Sequence, residues 1–435
     1  MVNTNAMLLC DTYKQVHMKM FDEGLTKLVS YWVPRKSMIE DPDKNKMVFF
    51  GLQAFIIEYL YGYFDKNFFD EDVEYIKETF TKYVGIQIGV ENFDIEPIIA
   101  LHELGYLPLE IRALPEGSLV NMGIPCIELT NTHKDFAWLV QWIECILQAE
   151  LWKICNHATI GTFYLELAKK WYAKNADSNK DPRNAFSDFG MRGMSCMNEA
   201  VRCSAAWLLS ANKTSTVCAL PFIDEYYHDN NIFDGSFGRG GISTEHSVIS
   251  SNYANGTDEV KFLKRMLTET YPNASFSCLG DTYDYWNFVD NVLRECKEEI
   301  MNHNGSLFVR PDSGEQVSIV VETVIRLYDM FGGTLNEKGY KVLDPHIGII
   351  LGDGCTLDVV EKIYKNLDDL GFSSSNVIFG IGAFCFSAIY DSVGGRMIIN
   401  TRDTYGIAMK STYAEFGDKH VKVFKNPKTD TSNLK

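Results

Sequence analysis

Residues 306–331 read SLFVRPDSGEQVSIVVETVIRLYDMF. The run 306–309 is short and apolar, which reads as a buried strand. Arg310-Pro311-Asp312 breaks it, and Pro311 restricts Arg310 to extended geometry. Apolar residues then recur at helical spacing over 316–331. The same unit of strand, polar tip and helix recurs on both sides. Residues 275–279 (SFSCL) lead to Asp281 and a helix over 283–301. Residues 347–351 (IGIIL) lead to Gly352-Asp353-Gly354 and a helix over 357–370. Residues 376–379 lead to Gly380-Ile381-Gly382. Further upstream, 217–223 (VCALPFI) reads as a strand and 258–269 as a helix. Units of about 30 residues imply right-handed βαβ crossovers and a parallel sheet, open or closed into a barrel. All the polar tips then share one face, where barrel active sites form.

The region before this alternation has a different texture. Residues 25–33 (LTKLVSYWV) read as a strand and 49–63 as a helix. Residues 107–130 hold two or three short strands broken by Pro115-Glu116-Gly117 and Asn121-Met122-Gly123. Asp135 is a candidate cap for a helix to about 153, followed by a second helix over 158–172. The polar stretch 175–184 is the linker candidate. The expected domains are therefore 1–175, with 397–435 returning to it, and an α/β barrel over 185–396.

The 435 residues carry a net charge of −17, which excludes a broad nucleic-acid surface but not a local basic pocket. Eleven cysteines show no Cys-x-x-Cys and no zinc-finger spacing, as expected of reduced thiols in the cytoplasm. The longest apolar run, 377–390, is below the roughly 20 residues that span a bilayer. A soluble cytoplasmic protein with no membrane and no nucleic-acid partner is the expectation.

Several motifs carry chemistry. No Walker loop, Rossmann fingerprint, metalloprotease His pair or nucleophile elbow occurs. Asp188-Phe189-Gly190 spells a kinase D-F-G, but no H-R-D loop accompanies it. In SDFGMRG (187–193), Arg192 can face an anion and Phe189 can stack on a flat ligand, or the segment is an ordinary strand-to-helix turn. GSFGRGGISTEHS (235–247) ends in Glu245-His246, a candidate for proton or phosphoryl transfer. Arg310 and Asp312 suit a phosphorylated sugar: guanidinium for phosphate, carboxylate for hydroxyls or Mg²⁺. GDG (352–354) and GIG (380–382) can cradle phosphate on backbone N–H groups. Residues 402–435 hold seven Lys/Arg against four Asp/Glu, so this segment is net +3 in an acidic chain.

LLCDTYKQVH, SYWVPRKS, FFGLQAF, SDFGMRGMS, STEHS, GDTYDYWN, VRPDSGE, GDG and TRDTYGIAMK occur in that order. This ordered set, from about residue 7 to the end, resembles the nicotinamide phosphoribosyltransferase family, the type II phosphoribosyltransferases of NAD salvage. The resemblance implies an incomplete, TIM-like α/β barrel with a second mixed β-rich domain built from both chain ends. It implies a homodimer with active sites at the subunit interface. Nicotinamide would lie between Phe189 and the partner's Tyr13, in the Asp11-containing LLCDTYK segment. Arg192, His246 and Arg310 would surround the base and the diphosphate of phosphoribosyl pyrophosphate. Asp281 and Asp312 would hold ribose and Mg²⁺. Gly352, Asp353 and the Gly382 turn, with Arg402 and Lys410 contributed by the second subunit, would form the 5′-phosphate site, and Arg35 and Lys425, also from the second subunit, would reach the diphosphate. ATP would enter by phosphorylating His246. The expected reaction joins nicotinamide to C1 of the ribose, giving nicotinamide mononucleotide and diphosphate.

Three departures open alternatives. Ser215 stands where the family has an Asp that accepts from the carboxamide, so nicotinate becomes a possible base. GIGAFCFSAI replaces the family's glycine-rich 5′-phosphate loop, with an apparent insertion near 390–399. A larger donor, ADP-ribose carrying a 1-diphosphate, would then give NAD directly. The chain also stops at Lys435 where relatives continue, so part of the β domain is expected to be absent or contributed differently. An inactive regulatory homologue is the remaining alternative; the retained polar cluster speaks against it.

Overall fold

The structure is a computed structural model that describes residues 4–227, 235–425 and 428. The last residues of the basic C-terminal segment, 426–427 and 429–435, lie outside the described residues. Two compact units form: Met1–Asn156 with Asn400–Lys435, and His157–Ile399. The first division falls inside a long helix, Glu144–Asn175, rather than in the polar stretch 175–184. That helix joins the two helices read separately from the sequence. Gly161 does not interrupt it, because the side it presents is packed: a Cβ there would meet Ser210 and Trp207 at 3.3 and 3.4 Å.

In the unit built from both chain ends, a five-stranded antiparallel sheet has the order Lys419–Lys422, Ala408–Phe416, Leu25–Val33, Ile127–Asn131, Leu109–Ala113. The N-terminal strand 25–33 lies between strands from 408–416 and 127–131, so residues nearly four hundred apart in sequence share one ladder. Trp32, Phe49, Phe55 and Trp142 are buried in the core of this unit. Asp135 does not cap a helix. It sits inside a short 3-10 turn, Lys134–Phe136, whose cap is the His133 ring accepting from the Asp135 N–H.

The second unit is the α/β barrel. Seven parallel strands follow the order Lys213–Thr214, Phe186–Asp188, Val377–Ile381, Ile347–Leu351, Leu307–Arg310, Phe276–Leu279, Ile242–Ser243. A single parallel bridge, Lys213 to Arg239, links the first strand to the segment entering the last. The strands at this seam are only two residues long, which is why the barrel is incomplete. The helix Gln316–Phe331 shows how the alternation is built. Glu315 caps it by accepting from the Val317 and Ser318 N–H groups, and Ile319, Val320, Val324 and Leu327 are buried.

One expected strand is wrong. Residues 217–223 are not extended; Ala219–Tyr227 is a helix. Pro221 lies in its first turn, where the missing N–H would have no intrahelical partner. The insertion near 390–399 is an antiparallel hairpin, Ala388–Asp391 with Arg396–Ile399. No helix among the described residues is long and apolar enough to cross a membrane.

Candidate active site

The ends of the barrel strands bring the sequence-selected residues of this unit together. Arg310 ends its strand and donates from Nη2 to Asp312 Oδ1 at 2.9 Å. Its Nη1 lies 3.5 Å from Ser243 Oγ, and its guanidinium sits 5.6 Å above the Phe189 ring. Gly352 lets it pack close, since a Cβ there would lie 3.0 Å from Arg310 Nε and push the guanidinium aside.

Asp281, after the adjacent strand, accepts from the Asp312 N–H at 3.2 Å and from Ser313 Oγ at 2.6 Å. Its other oxygen, Oδ1, is buried with no hydrogen-bond partner among the described residues. His246 is the first residue of the helix His246–Ala254. Its Nδ1 pairs with Thr282 Oγ1 at 3.1 Å, while Nε2 lies 3.5 Å from Asp312 Oδ2 and 3.9 Å from Asp281 Oδ1. Two carboxylates, an imidazole and a guanidinium thus share one rim. The orphaned Asp281 oxygen beside Asp312 is a hard, anionic donor set that fits Mg²⁺.

Arg310 also lines a cavity of about 580 Å³, together with Phe189 and Arg192. Gly380 fixes the Phe189 ring, because a Cβ on Gly380 would fall 2.2 Å from ring carbons. The Phe189 N–H also donates to Ile381 O at 2.9 Å. Ser215 lines the same cavity and is placed by its N–H donating to Asp188 O at 2.9 Å.

Asp188 is the residue the sequence did not single out. Its buried carboxylate accepts from the Ser204, Thr214 and Thr216 hydroxyls and from the Gly190 N–H. It therefore ties the Phe189 loop to the Ser215 loop. The signal that could have found it was the acid beside two threonines spaced one apart, Thr214-Ser215-Thr216, but nothing local shows that they meet. Lys213 and Arg239 also line the cavity and were likewise missed.

The remaining 5′-phosphate candidates sit at neighbouring strand ends. Asp353 is exposed and Gly354 is left-handed, with φ of +62°. Gly382 caps the one-turn helix Ala383–Ser387.

The other expected residues belong to the first unit. Arg35 donates from Nε to Gly406 O at 3.0 Å, and Arg402 pairs with Asp403 at 3.3 Å. Burial pushes the Lys410 ammonium below its usual range, and the charges of Arg35, Lys425 and Lys14 push in the same direction against Glu144. Lys410 thus feels the charges of both Arg35 and Lys425. Tyr13 is half exposed, with its ring 5.0 Å from that of His17. Asp11 lies against Cys145, whose Sγ is 3.4 Å from the Asp11 N.

Residues 184–435 match the family model for the nicotinate phosphoribosyltransferase (NAPRTase) family. The chain belongs to this family. Residues 5–111 match the nicotinamide phosphoribosyltransferase N-terminal domain. A nicotinamide phosphoribosyltransferase of Acinetobacter baylyi is 34% identical, covering 99% of this chain and 86% of that protein. One from Xanthomonas campestris is 27% identical, covering 98% and 85%. Human nicotinic acid phosphoribosyltransferase has a similar fold, with a TM-score of 0.55 at 14% identity over 93% of this chain and 74% of that one. A nicotinate-nucleotide pyrophosphorylase from Pyrococcus furiosus gives 0.53 at 14% identity, over 94% and 75%. As a member of the NAPRTase family the chain is a phosphoribosyltransferase built on the barrel described above.

Proposed function

We propose that this enzyme transfers the phosphoribosyl group of phosphoribosyl pyrophosphate to the ring nitrogen of nicotinamide, giving nicotinamide mononucleotide and diphosphate in NAD salvage. The observation that carries this reading is the Arg310–Asp312–Asp281–His246 cluster, with Arg310 and Phe189 both lining a cavity of about 580 Å³. The names of the Acinetobacter and Xanthomonas relatives support the choice of base.

The chemistry asks little of general bases. The pyridine nitrogen is already a nucleophile, and departure of diphosphate leaves an oxocarbenium-like ribose. Catalysis is then positioning and charge stabilisation. Phe189 orients the ring, Arg192 and Arg310 face the leaving diphosphate, and Asp281 and Asp312 hold ribose hydroxyls and Mg²⁺. The bound cation supplies charge neutralisation on the diphosphate. Gly352, Asp353 and Gly382 serve the 5′-phosphate.

Tyr13, Asp11, Arg35, Arg402, Lys410 and Lys425 complete the site from a second subunit in a homodimer. Exposed Phe384, Val393, Met397 and Ile399, on the 388–399 hairpin and the helix before it, support an apolar interface. Exposed His246, with Nε2 towards Asp312, is the acceptor for a phosphoryl group from ATP. Eleven unbridged cysteines support a reducing, cytoplasmic location.

A second reading keeps the chemistry and enlarges the donor. After the strand Val377–Ile381 the chain enters a one-turn helix and a hairpin, and adjacent glycines, Gly394 and Gly395, come only in the hairpin turn rather than at the strand end. An ADP-ribose 1-diphosphate donor would give NAD in one step. Purified protein with Mg²⁺, nicotinamide and each donor in competition decides between them. Nicotinamide mononucleotide from the small donor is the expected product; NAD from the larger donor alone favours the second reading. No product from a folded dimer leaves the inactive homologue. Repeating the assay with and without ATP, and searching for phosphohistidine, tests the role of His246.

A further inference from the structure

The charged side chains that line the barrel cavity are all cations: Arg192, Lys213, Arg239 and Arg310. No carboxylate lines it among the described residues. Arg310 is paired with Asp312 at the rim. Lys213 is different. It is half-buried, and its ammonium has neither an ion pair nor a hydrogen bond among the described residues. Burial and the Arg239 charge both push its pKa below the usual lysine range. A cation held out of water beside another cation is costly unless something anionic arrives.

Geometry places this cost in the cavity wall that carries Ser215. Lys213 is in register with Ser187, and both line the cavity. Ser215 follows two residues later, so Lys213 and Ser215 share one face of the chain, as residues alternate in an extended segment. Thr214, between them, turns the other way to Asp188. Arg239 joins from the bridge at the barrel seam. Ser187, Ser243 and Ser277 add neutral donors along the same wall.

We infer that Lys213, assisted by Arg239, reads the charge of the substituent on the pyridine ring, so that the cavity admits nicotinate, a ring carboxylate, as well as nicotinamide. This rests on the phosphoribosyltransfer reading above and adds a specificity-determining residue to it. A carboxylate directed past Ser215 meets an ammonium that lacks a counter-charge among the described residues. A carboxamide gains only neutral hydrogen bonds there.

Two measurements separate this inference from the reading beneath it. Calorimetric titration of nicotinate, nicotinamide and inorganic phosphate into the intact protein probes the cavity without turnover. The ratio of kcat/KM for the two bases, with phosphoribosyl pyrophosphate as donor, probes catalysis. Lys213→Met is expected to lower the nicotinate-to-nicotinamide ratio about 10- to 100-fold in both, the range of a charged hydrogen bond. Lys213→Arg is expected to restore most of it. Thermal melting of each variant reports whether the fold survives, and Arg239→Gln provides a second route if Lys213→Met does not fold. An unchanged ratio, or Lys213-dependent affinity for phosphate but not for nicotinate, overturns the inference. Absence of turnover with both bases, while nicotinate still binds through Lys213, overturns phosphoribosyl transfer instead.

Discussion

Arg310 Nε and Asp281 Oδ1 are both buried without a hydrogen-bond partner among the described residues, yet each belongs to a side chain whose other atoms are well engaged. Such atoms are costly in a resting protein and useful in one that binds a ligand. Asp312→Asn keeps the shape of the rim and removes one charge. It is expected to lower kcat/KM for the donor about 100-fold and to weaken the Mg²⁺ dependence, read from initial rates over a Mg²⁺ series. Wild-type rates in the variant would remove Asp312 from the site. Asp188 acts differently, since it touches loops rather than substrate. Asp188→Ala strands three buried hydroxyls and should cost about 2–4 kcal/mol of stability, measured by urea unfolding. A loss below about 0.5 kcal/mol would contradict its role as the tie between the loops.

The Phe189 loop depends on the neighbouring strand, Val377–Ile381, as much as on its own sequence. Gly380→Ala drives a methyl into the Phe189 ring. The expected result is about 1–3 kcal/mol of destabilisation with a raised KM for the base, and a normal KM would mean that Phe189 does not hold the base. Elements of this kind were legible where they were long and strongly patterned. The helix Gln316–Phe331 and the strands Leu25–Val33 and Ile347–Leu351 fall where their periodicity places them. Phe186–Asp188, Lys213–Thr214 and Ile242–Ser243 do not announce themselves, because two or three residues carry no period. Their identity comes from neighbours in the sheet. Residues 217–223 misled because their apolar run fits a buried strand and a helix equally well. The rim residues Asp281, Arg310 and Asp312 were legible because each follows a readable strand. Lys213 and Arg239 were not, because they lie at the seam of the incomplete barrel, where the strands are two residues long and one bridge joins them.

Taken together, the chain keeps its acidity on the outside and gathers cations in two places, the barrel cavity and the Arg35–Lys410–Lys425 cluster. An anionic donor is thereby drawn to sites the net charge of −17 would not suggest. The cysteines give a separate test of the fold. Burial pushes the Cys126, Cys278 and Cys296 thiols up to about 12, from an ordinary 9.0. Folding therefore holds the neutral thiol, and this contribution is complete below pH 9 and is lost as pH rises toward 12. Buried Tyr164 and Tyr364 act in the same sense, while Lys213 and Lys410 oppose them. Urea midpoints are expected to fall steadily above about pH 9, and exposed Cys196 to be alkylated well before the buried thiols at pH 8. Uniform alkylation of all eleven cysteines under native conditions would contradict the packing described here.

The central claim is transfer of a phosphoribosyl group at the barrel rim. Its most direct test is product analysis by mass after incubating the purified protein with phosphoribosyl pyrophosphate, nicotinamide and Mg²⁺. The account predicts nicotinamide mononucleotide and diphosphate in equal amounts, with both formed about 100-fold more slowly in Asp312→Asn. Folded protein that forms no nucleotide from this donor, or that forms it equally well without Asp312, would contradict it.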